Sequence, residues 1–251
     1  MSRATTIKEV INQLDVIIEN AIESNDRLGL FAYIYRRTTA EIARETKLRN
    51  FQNNERLEIL DVAFANLYLD AYNDYKNNKQ VSASWQFAFN QRDMPLTILQ
   101  HIMLGMNAHI NLDLSVSTAQ TMKGIEINEV ETDFNKVNDI LFQITNELQE
   151  RLSRVSPLMF LLDLLGENKD EQVIDFSMRK ARELSWNSAN LLWALGDNDN
   201  KKAIQKIDNL VLKIAERIKA PKTRTMRFIL KIMKRFEKKN VGLIISRLKE
   251  D

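Results

Sequence analysis

Apolar side chains recur along most of the chain at intervals of three and four residues, which is the spacing of one face of an α-helix. The first segment has such a stripe with acidic residues on the opposite side, formed by Ile7, Ile11, Leu14, Ile18, Ala21 and Ile22. Two further stripes begin after Asn25-Asp26 and after Asn53-Asn54, where short polar side chains favour the start of a helix. The pattern predicts three amphipathic helices at the N-terminal end of the chain.

The same period continues to the C-terminus, interrupted by Gly, Pro and polar residues. A helix is predicted from Pro95 to about Thr121, after the start signal Arg92-Asp93-Met94 and with Gly105 as a potential break. Later helices are predicted at Glu129–Leu152, Ser156–Gly166, Asp170–Leu195 with Gly196 as the stop, Asp197–Lys219, beyond the Pro221-Lys222-Thr223 turn, and at Asn240–Leu248. No strand pattern and no fixed-period repeat occurs. We therefore predict an all-α fold, a compact multi-helix bundle of about ten helices, in a single domain over residues 1–251.

Composition excludes several classes of cofactor site. The chain has no cysteine, which excludes disulfides, thiolate zinc sites and Fe–S clusters. It has 6 glycines and no Gly-x-Gly pair, so no nucleotide-binding glycine-rich loop is expected. The apolar runs are shorter than the ~20 residues of a membrane span, and the amphipathic first segment is unlike a secretory signal. These features predict a cytoplasmic protein.

Charge is distributed unevenly along the chain. Residues 201–251 contain 16 Lys and Arg against 5 Asp and Glu, whereas residues 1–200 contain 20 against 29. Within the basic segment 223–251, a predicted amphipathic helix has the apolar face Met226, Ile229, Leu230, Met233 and Phe236. Such a helix suits an anionic membrane surface or an acidic partner, or its apolar face docks on the acidic body of the protein. Nucleic acid is disfavoured, because no basic platform with interleaved aromatic residues accompanies the helix.

One polar cluster lies inside an otherwise apolar stretch, from His101 to Asp113. In a helix, His109 and Asp113 share a face because they are four residues apart, while Asn107 and Asn111 share another. A His–carboxylate pair at this spacing forms an oriented acid–base pair or co-ligates a divalent metal. The third alternative is a buried polar network that fixes helix packing.

For an enzyme, His109 is the candidate acid or base, Asp113 orients it, and Asn107 donates a hydrogen bond to a substrate oxygen. Hydrolysis is the favoured reaction class, although the sequence does not separate it from lyase or oxygenase chemistry. We expect the helices that carry Tyr33, Asp61 and Arg179 to close a polar pocket around these residues. A metal site would depend on carboxylates such as Asp61 or Glu58, because the chain has only two histidines and lacks the Glu-x-x-His pairs of di-metal bundles.

Two groups of arginines are secondary candidates for ligand binding. Arg37 lies beside Tyr33, Arg36 and Thr38, and could hold a carboxylate or phosphate or instead pair with Glu41 and Glu45. Arg179 shares a predicted helix face with Arg182 and Trp186. The alternative interpretation of these three residues is cation–π packing at the edge of the core.

The string Gly105-Met-Asn-Ala-His-Ile-Asn-Leu-Asp-Leu114 resembles the signature of an all-α bacterial family of unknown function, Gly-x-Asn-Ala-His-Ile-Asn-x-Asp-Leu. In that family the string follows a Phe-Ala-Asn-x-Tyr helix and a Trp, as Phe64-Ala-Asn-Leu-Tyr68 and Trp85 do here. The resemblance spans roughly residues 30–195 and implies an all-α fold without an established activity. The His-x-x-x-Asp spacing is also similar to zinc-dependent phospholipase C and its nuclease relatives, but their other histidines are missing.

These observations favour an enzyme of hydrolase type, or a protein that binds a small molecule, with a polar pocket around His109 and Asp113. The alternative is a non-catalytic interaction or membrane-surface protein that acts through the basic C-terminal helix.

Overall fold

The computed structural model describes residues 2–159, 161 and 178–250. In this part of the chain every regular element is helical, and the prediction of an all-α multi-helix bundle is confirmed. The α-helices are α1 (Ile7–Ser24), α2 (Leu28–Lys47), α3 (Asn54–Lys76), α4 (Ala83–Asn90), α5 (Ile98–Ala108), α6 (Leu114–Thr121), α7 (Glu131–Val155), α8 (Met178–Lys219), α9 (Arg224–Phe236) and α10 (Val241–Lys249). A π-helical turn (His109–Asp113) joins α5 to α6, and a 3₁₀ turn (Ile127–Val130) precedes α7.

Short polar residues cap most of these helices, and one predicted start was wrong. The side chain of Asn53 accepts from the N–H of Arg56, as its position before α3 predicts. Helix α5, however, begins after Thr97 rather than at Pro95, because Thr97 and Gln100 form a reciprocal capping box. Each side chain accepts the other residue's backbone N–H at 3.1 Å. A local cap of this kind outweighs the weaker preference for proline in the first turn.

The predicted stop at Gly196 coincides with a break inside α8. Gly196 has φ 67° and ψ −179°, a conformation that a residue with a Cβ rarely adopts. The predicted helix at Ser156–Gly166 and the predicted start at Asp170 fall largely outside the described residues.

The continuous segment α5–π–α6 runs through the centre of the bundle, where it contacts α2, α3 and α8. It is buried almost all round, and the buried residues include the polar side chains of Asn107, His109, Asn111 and Asp113. Gly105 is not a break in this segment but a point of close approach. A Cβ built there would lie 2.4 Å from Cγ of Phe31 on α2, so only glycine lets the two helices come this close.

The C-terminal helices attach to this bundle in different ways. Helix α10 joins the main core through Val241, Ile244, Ile245 and Leu248. Helix α9 buries Met226 and Met233 against Leu99, Leu158 and Met159, so this part of its predicted apolar face docks on the body. Phe236, which was assigned to the same face, is instead 58% exposed. Nowhere in the described part of the chain is a helix both long and apolar enough to cross a lipid bilayer.

Candidate functional site

The central segment changes from α to π geometry at His109–Asp113. The N–H of Leu114 bonds to the carbonyl of His109, five residues back. All five residues of the turn are buried, and single π turns inside α-helices occur frequently at functional sites. The predicted polar cluster therefore lies at a local irregularity of an otherwise regular helix.

His109 and Asp113 form a hydrogen-bonded pair with Trp85. Nδ1 of His109 lies 3.0 Å from Oδ2 of Asp113, and Nε1 of Trp85 donates to the same oxygen at 3.0 Å. Helix α4 carries Trp85, and its first backbone N–H groups, those of Ala83 and Ser84, donate to the carboxylate of Asp208 on α8. Asp208 thus anchors the helix that orients Trp85.

Burial controls the protonation of this pair. It lowers the pKa of His109 well below its usual value, so the imidazole is neutral near pH 7. Burial also raises the pKa of Asp113, and the hydrogen bond from Trp85 opposes that rise. Two donors directed at one oxygen favour a carboxylate that accepts from Nδ1–H. Nε2 of His109 then keeps its lone pair.

Aromatic rings hold the imidazole on several sides. Phe64 stacks on His109 with ring centroids 3.7 Å apart and an interplanar angle of 8°. Tyr35 meets the ring edge-on at 4.3 Å and 74°, and Phe31, Tyr68 and Trp85 surround this pair at greater distance. The contacts restrict the rotation of the ring, so the direction of Nε2 is fixed by packing.

Beside His109 lies a cavity of about 70 Å³. Most of its lining is apolar, unlike the predicted polar pocket, and is contributed by α2, α3, α5, the π turn, α6 and α7. Its polar lining residues are Tyr35, Thr38, Asp61, His109 and Arg182. Within the described part of the chain, the Tyr35 hydroxyl, Oδ2 of Asp61 and Nε2 of His109 are buried and have no hydrogen-bond partner. Buried polar atoms are normally satisfied, so three such atoms at one cavity indicate a binding site.

Asp61 and Arg182 bring opposite charges to this cavity. Burial raises the pKa of Asp61 to about 7, although the positive charge of Arg182 opposes the rise. Burial lowers the pKa of Arg182 to about 9, against the attraction of Asp61. Arg182 donates to the carbonyl of Phe134 at 2.8 Å and lies over its ring at 4.3 Å, so the predicted cation–π packing is present. Its guanidinium is therefore held in place independently of any ligand.

The structure brings only some of the predicted site residues together. His109 and Asp61 line the cavity, and Asp113 reaches it through His109. Asn107 does not line it: its Nδ2 donates to the carbonyl of Val211 at 2.9 Å, and its Oδ1 accepts from Asn111. Its position two residues before His109 places it on the opposite side of the helix. Asn107 is thus part of the packing of the central helix against α8.

The arginine candidates and Tyr33 also lie away from the cavity. The Tyr33 hydroxyl donates to the carbonyl of Leu248 at 2.9 Å. Arg37 pairs with Glu41 at 3.1 Å and Glu147 at 2.8 Å, so the alternative of ion pairing applies. The side chain of Arg179 lies outside the described residues. In the described ranges, no three His, Asp or Glu side chains gather as a metal-binding group.

Three residues of the site were not assigned to it from the sequence: Tyr35, Trp85 and Arg182. Tyr35 belongs to the apolar face of α2, and the sequence signal for Arg182 was its spacing with Trp186. The position of Trp85 before the Gly105–Leu114 string was the only indication of its role. None of these sequence signals shows which residue of another helix the side chain contacts.

The bond between Trp85 and Asp113 can be measured by a double-mutant cycle with Trp85→Phe and Asp113→Asn. We expect a coupling free energy of about 1–3 kcal/mol, because a buried N–H donor and a buried carboxylate satisfy each other. Urea unfolding at pH 7 gives the four stabilities. Trp186→Phe combined with Asp113→Asn is the matched control and should be additive. Additivity in the Trp85 cycle as well would contradict the bond.

Comparison with known proteins adds a family but no activity. A model described as a family of unknown function (DUF5995) matches residues 7–221, which include every residue that lines the cavity. No curated protein and no solved structure matches the chain.

Proposed function

From the premise that this chain belongs to DUF5995, a family of unknown function, we propose a function based on the geometry of its cavity. The protein binds a small, largely apolar molecule with one polar oxygen group and acts on it by acid–base chemistry at His109. Hydrolysis is the reaction class that we propose. A cytoplasmic location stays a prediction from the sequence.

The observation that supports this function is the convergence of three partnerless buried polar atoms on one cavity, those of Tyr35, Asp61 and His109. Each unsatisfied buried group destabilises the fold by about 1–3 kcal/mol. A purely structural network would satisfy these atoms with one another or with the backbone. Groups held against stability in this way are typical of sites that bind a ligand.

The residues take distinct roles in this proposal. His109 accepts a proton at Nε2 from water or from an acidic group of the substrate, while Asp113 keeps Nδ1 protonated. Asp61, with its pKa at about 7, exchanges a proton near neutral pH. The guanidinium of Arg182 stabilises negative charge that develops on the substrate oxygen. The Tyr35 hydroxyl donates a hydrogen bond to the same molecule.

The dimensions of the cavity restrict the ligand. A buried water needs roughly 10–15 Å³ of cavity, so a cavity of about 70 Å³ accepts several waters or a molecule of few heavy atoms. His109, Asp61 and Arg182 are only 2%, 6% and 4% exposed. These polar groups are therefore shielded from bulk solvent.

The proposal can be tested by nitrogen-15 NMR of the imidazole groups, because the chain has only two histidines. Short aliphatic acids, amides, ketones and phenols would be titrated into the full chain. We expect a saturable shift at His109 for at least one class, and no shift at His101, which does not line the cavity. His101 is thus an internal control.

His109→Phe is the variant that tests the role of the imidazole, because a phenyl ring preserves stacking on Phe64 but has no nitrogen. It should weaken binding of the active compound class at least tenfold, since one polar contact is lost. Undiminished binding to this variant, or shifts at both histidines alike, would contradict the site. Turnover of ester or amide analogues of the same class then separates an enzyme from a protein that only binds.

A further inference from the structure

Helix α9 has a second apolar stripe on a face that the described part of the bundle leaves exposed. Phe228, Ile232 and Phe236 follow one another at intervals of four residues and therefore form a row along the helix. Phe228 is 64% and Phe236 is 58% exposed, whereas Met226 and Met233 on another face are fully buried. Ile232 between them is half-buried, and two large exposed apolar side chains on one side of a helix indicate an interaction surface.

Cations flank this stripe. Arg224, Lys231 and Arg235 are exposed. Arg224 precedes Phe228 by four residues, and Lys231 and Arg235 follow it by three and seven, so all three cations lie on the same side of the helix as Phe228. In the described residues, no carboxylate forms an ion pair within 4 Å of these three cations. The acidic body of the protein therefore leaves their charge free for a partner.

The one acidic residue of this region is turned away from the surface. Residues 221–240 contain 8 Lys and Arg and 1 acid, Glu237. Glu237 is 6% exposed and accepts from the N–H of Ile98 at 2.9 Å and from Oγ of Ser156 at 2.8 Å. These bonds, together with the buried Met226 and Met233, fix α9 to the bundle. The exposed face is thus formed and positioned before any partner binds.

We propose that this face of α9 binds the surface of an anionic lipid bilayer. Phe228 and Phe236 insert at the level of the head groups, while Arg224, Lys231 and Arg235 contact anionic lipid. Nucleic acid fits less well, because the two rings are eight residues or ~12 Å apart along the helix axis. Successive stacked bases repeat every ~3.4 Å. Helix α9 also lies beyond the family match at residues 7–221, so the inference concerns this chain and is independent of the cavity.

Co-sedimentation of the full chain with vesicles tests the proposal. We expect binding to phosphatidylcholine vesicles that contain phosphatidylserine and no binding to phosphatidylcholine alone. Binding should fall steeply between ~0.15 M and ~1 M salt, as the screening length decreases from ~8 Å to ~3 Å. Retention of the protein by neutral vesicles to the same extent would overturn the proposal, as would binding to a soluble polyanion without binding to vesicles.

Two variants separate the apolar and the charged contributions. Phe228→Ser with Phe236→Ser should lower partitioning about tenfold or more, since two phenyl rings are no longer removed from water. Arg224→Gln with Lys231→Gln and Arg235→Gln should lower it about 100-fold, at about fivefold for each cation. The side chains at all five positions are exposed, so both variants should fold normally. Thermal unfolding of each variant verifies this.

Matched controls alter exposed residues elsewhere on the molecule. Leu210→Ser removes an exposed apolar side chain from α8, and Lys201→Gln with Lys202→Gln and Lys213→Gln removes three exposed cations. Neither should change binding more than twofold to threefold. Equal losses in the controls and in the α9 variants would reveal non-specific attraction and refute a defined lipid-binding face.

Discussion

Gly105→Ala is expected to lower the free energy of unfolding by about 3 kcal/mol, the upper end of the cost of overpacking a core. The added Cβ would lie 2.4 Å from Cγ and 2.8 Å from Cβ and Cδ1 of Phe31. Phe31 cannot move aside easily, because its ring packs against Tyr35, Tyr68 and Trp85. Helices α2 and α5 would therefore have to separate. Urea unfolding at pH 7 measures the loss.

Gly242→Ala is the matched control, since it adds the same atom to a helix with more space. The nearest atoms there are Cγ2 of Ile22 at 3.1 Å and Oδ1 of Asn240 at 3.3 Å. Gly242 is the second residue of its helix, and we expect the substitution there to change the stability by less than about 1 kcal/mol. Gly105→Ala combined with Phe31→Leu should recover part of the lost stability. A Gly105→Ala protein as stable as the parent would show that the close approach of α2 and α5 is wrong.

Asp61→Asn should change the pH dependence of stability. In the folded protein the pKa of Asp61 is about 7, above the ordinary value of 3.8. The folded state therefore binds this proton more tightly than the unfolded state, and the carboxyl destabilises the protein progressively as pH rises from about 4 to about 7. Asparagine has no such titration. The stability of Asp61→Asn relative to the parent should rise by roughly 2–3 kcal/mol between pH 5 and pH 8.

Unfolding of both proteins at the two pH values provides the measurement, and Asp133→Asn serves as the contrasting control. The carboxylate of Asp133 is buried but accepts from the N–H groups of Gln52 and Asn53 at 2.6 and 2.8 Å. Asp133→Asn should therefore lower the free energy of unfolding at pH 8, whereas Asp61→Asn should raise it. If the difference in stability between Asp61→Asn and the parent does not change with pH, the carboxyl of Asp61 is not destabilised by burial at the cavity.

Periodicity was sufficient to predict most helices because each amphipathic stripe is a local property of the chain. The start of α5 was predicted wrongly from the position of Pro95, because Thr97 and Gln100 form a capping box that competes with it. Gly105 was also treated as a potential break. Only the distance to Phe31, a residue far away in sequence, shows that this glycine serves helix packing.

The site was predicted in part for the same reason. His109 and Asp113 are paired within one helix, so their spacing is visible in the sequence. Tyr33 was preferred to Tyr35, but residues 29–35 of α2 are all buried, and a stripe cannot show which of them faces the cavity. Trp85 meets Asp113 across 28 positions of sequence, a contact that depends on how α4 packs. The residues missed are those placed by tertiary contacts.

The π turn has a consequence for the length of the chain as well as for its chemistry. Loss of one residue from within His109–Asp113 would turn the bond between the N–H of Leu114 and the carbonyl of His109 into an ordinary α-helical one. The helix after the turn would keep its orientation, so Val116 and Ala119 would still pack against α8. The side chains inside the turn would change direction, and the His109–Asp113 pair would be disrupted. A deletion in this turn should therefore be compatible with the packing of the bundle but not with the candidate site.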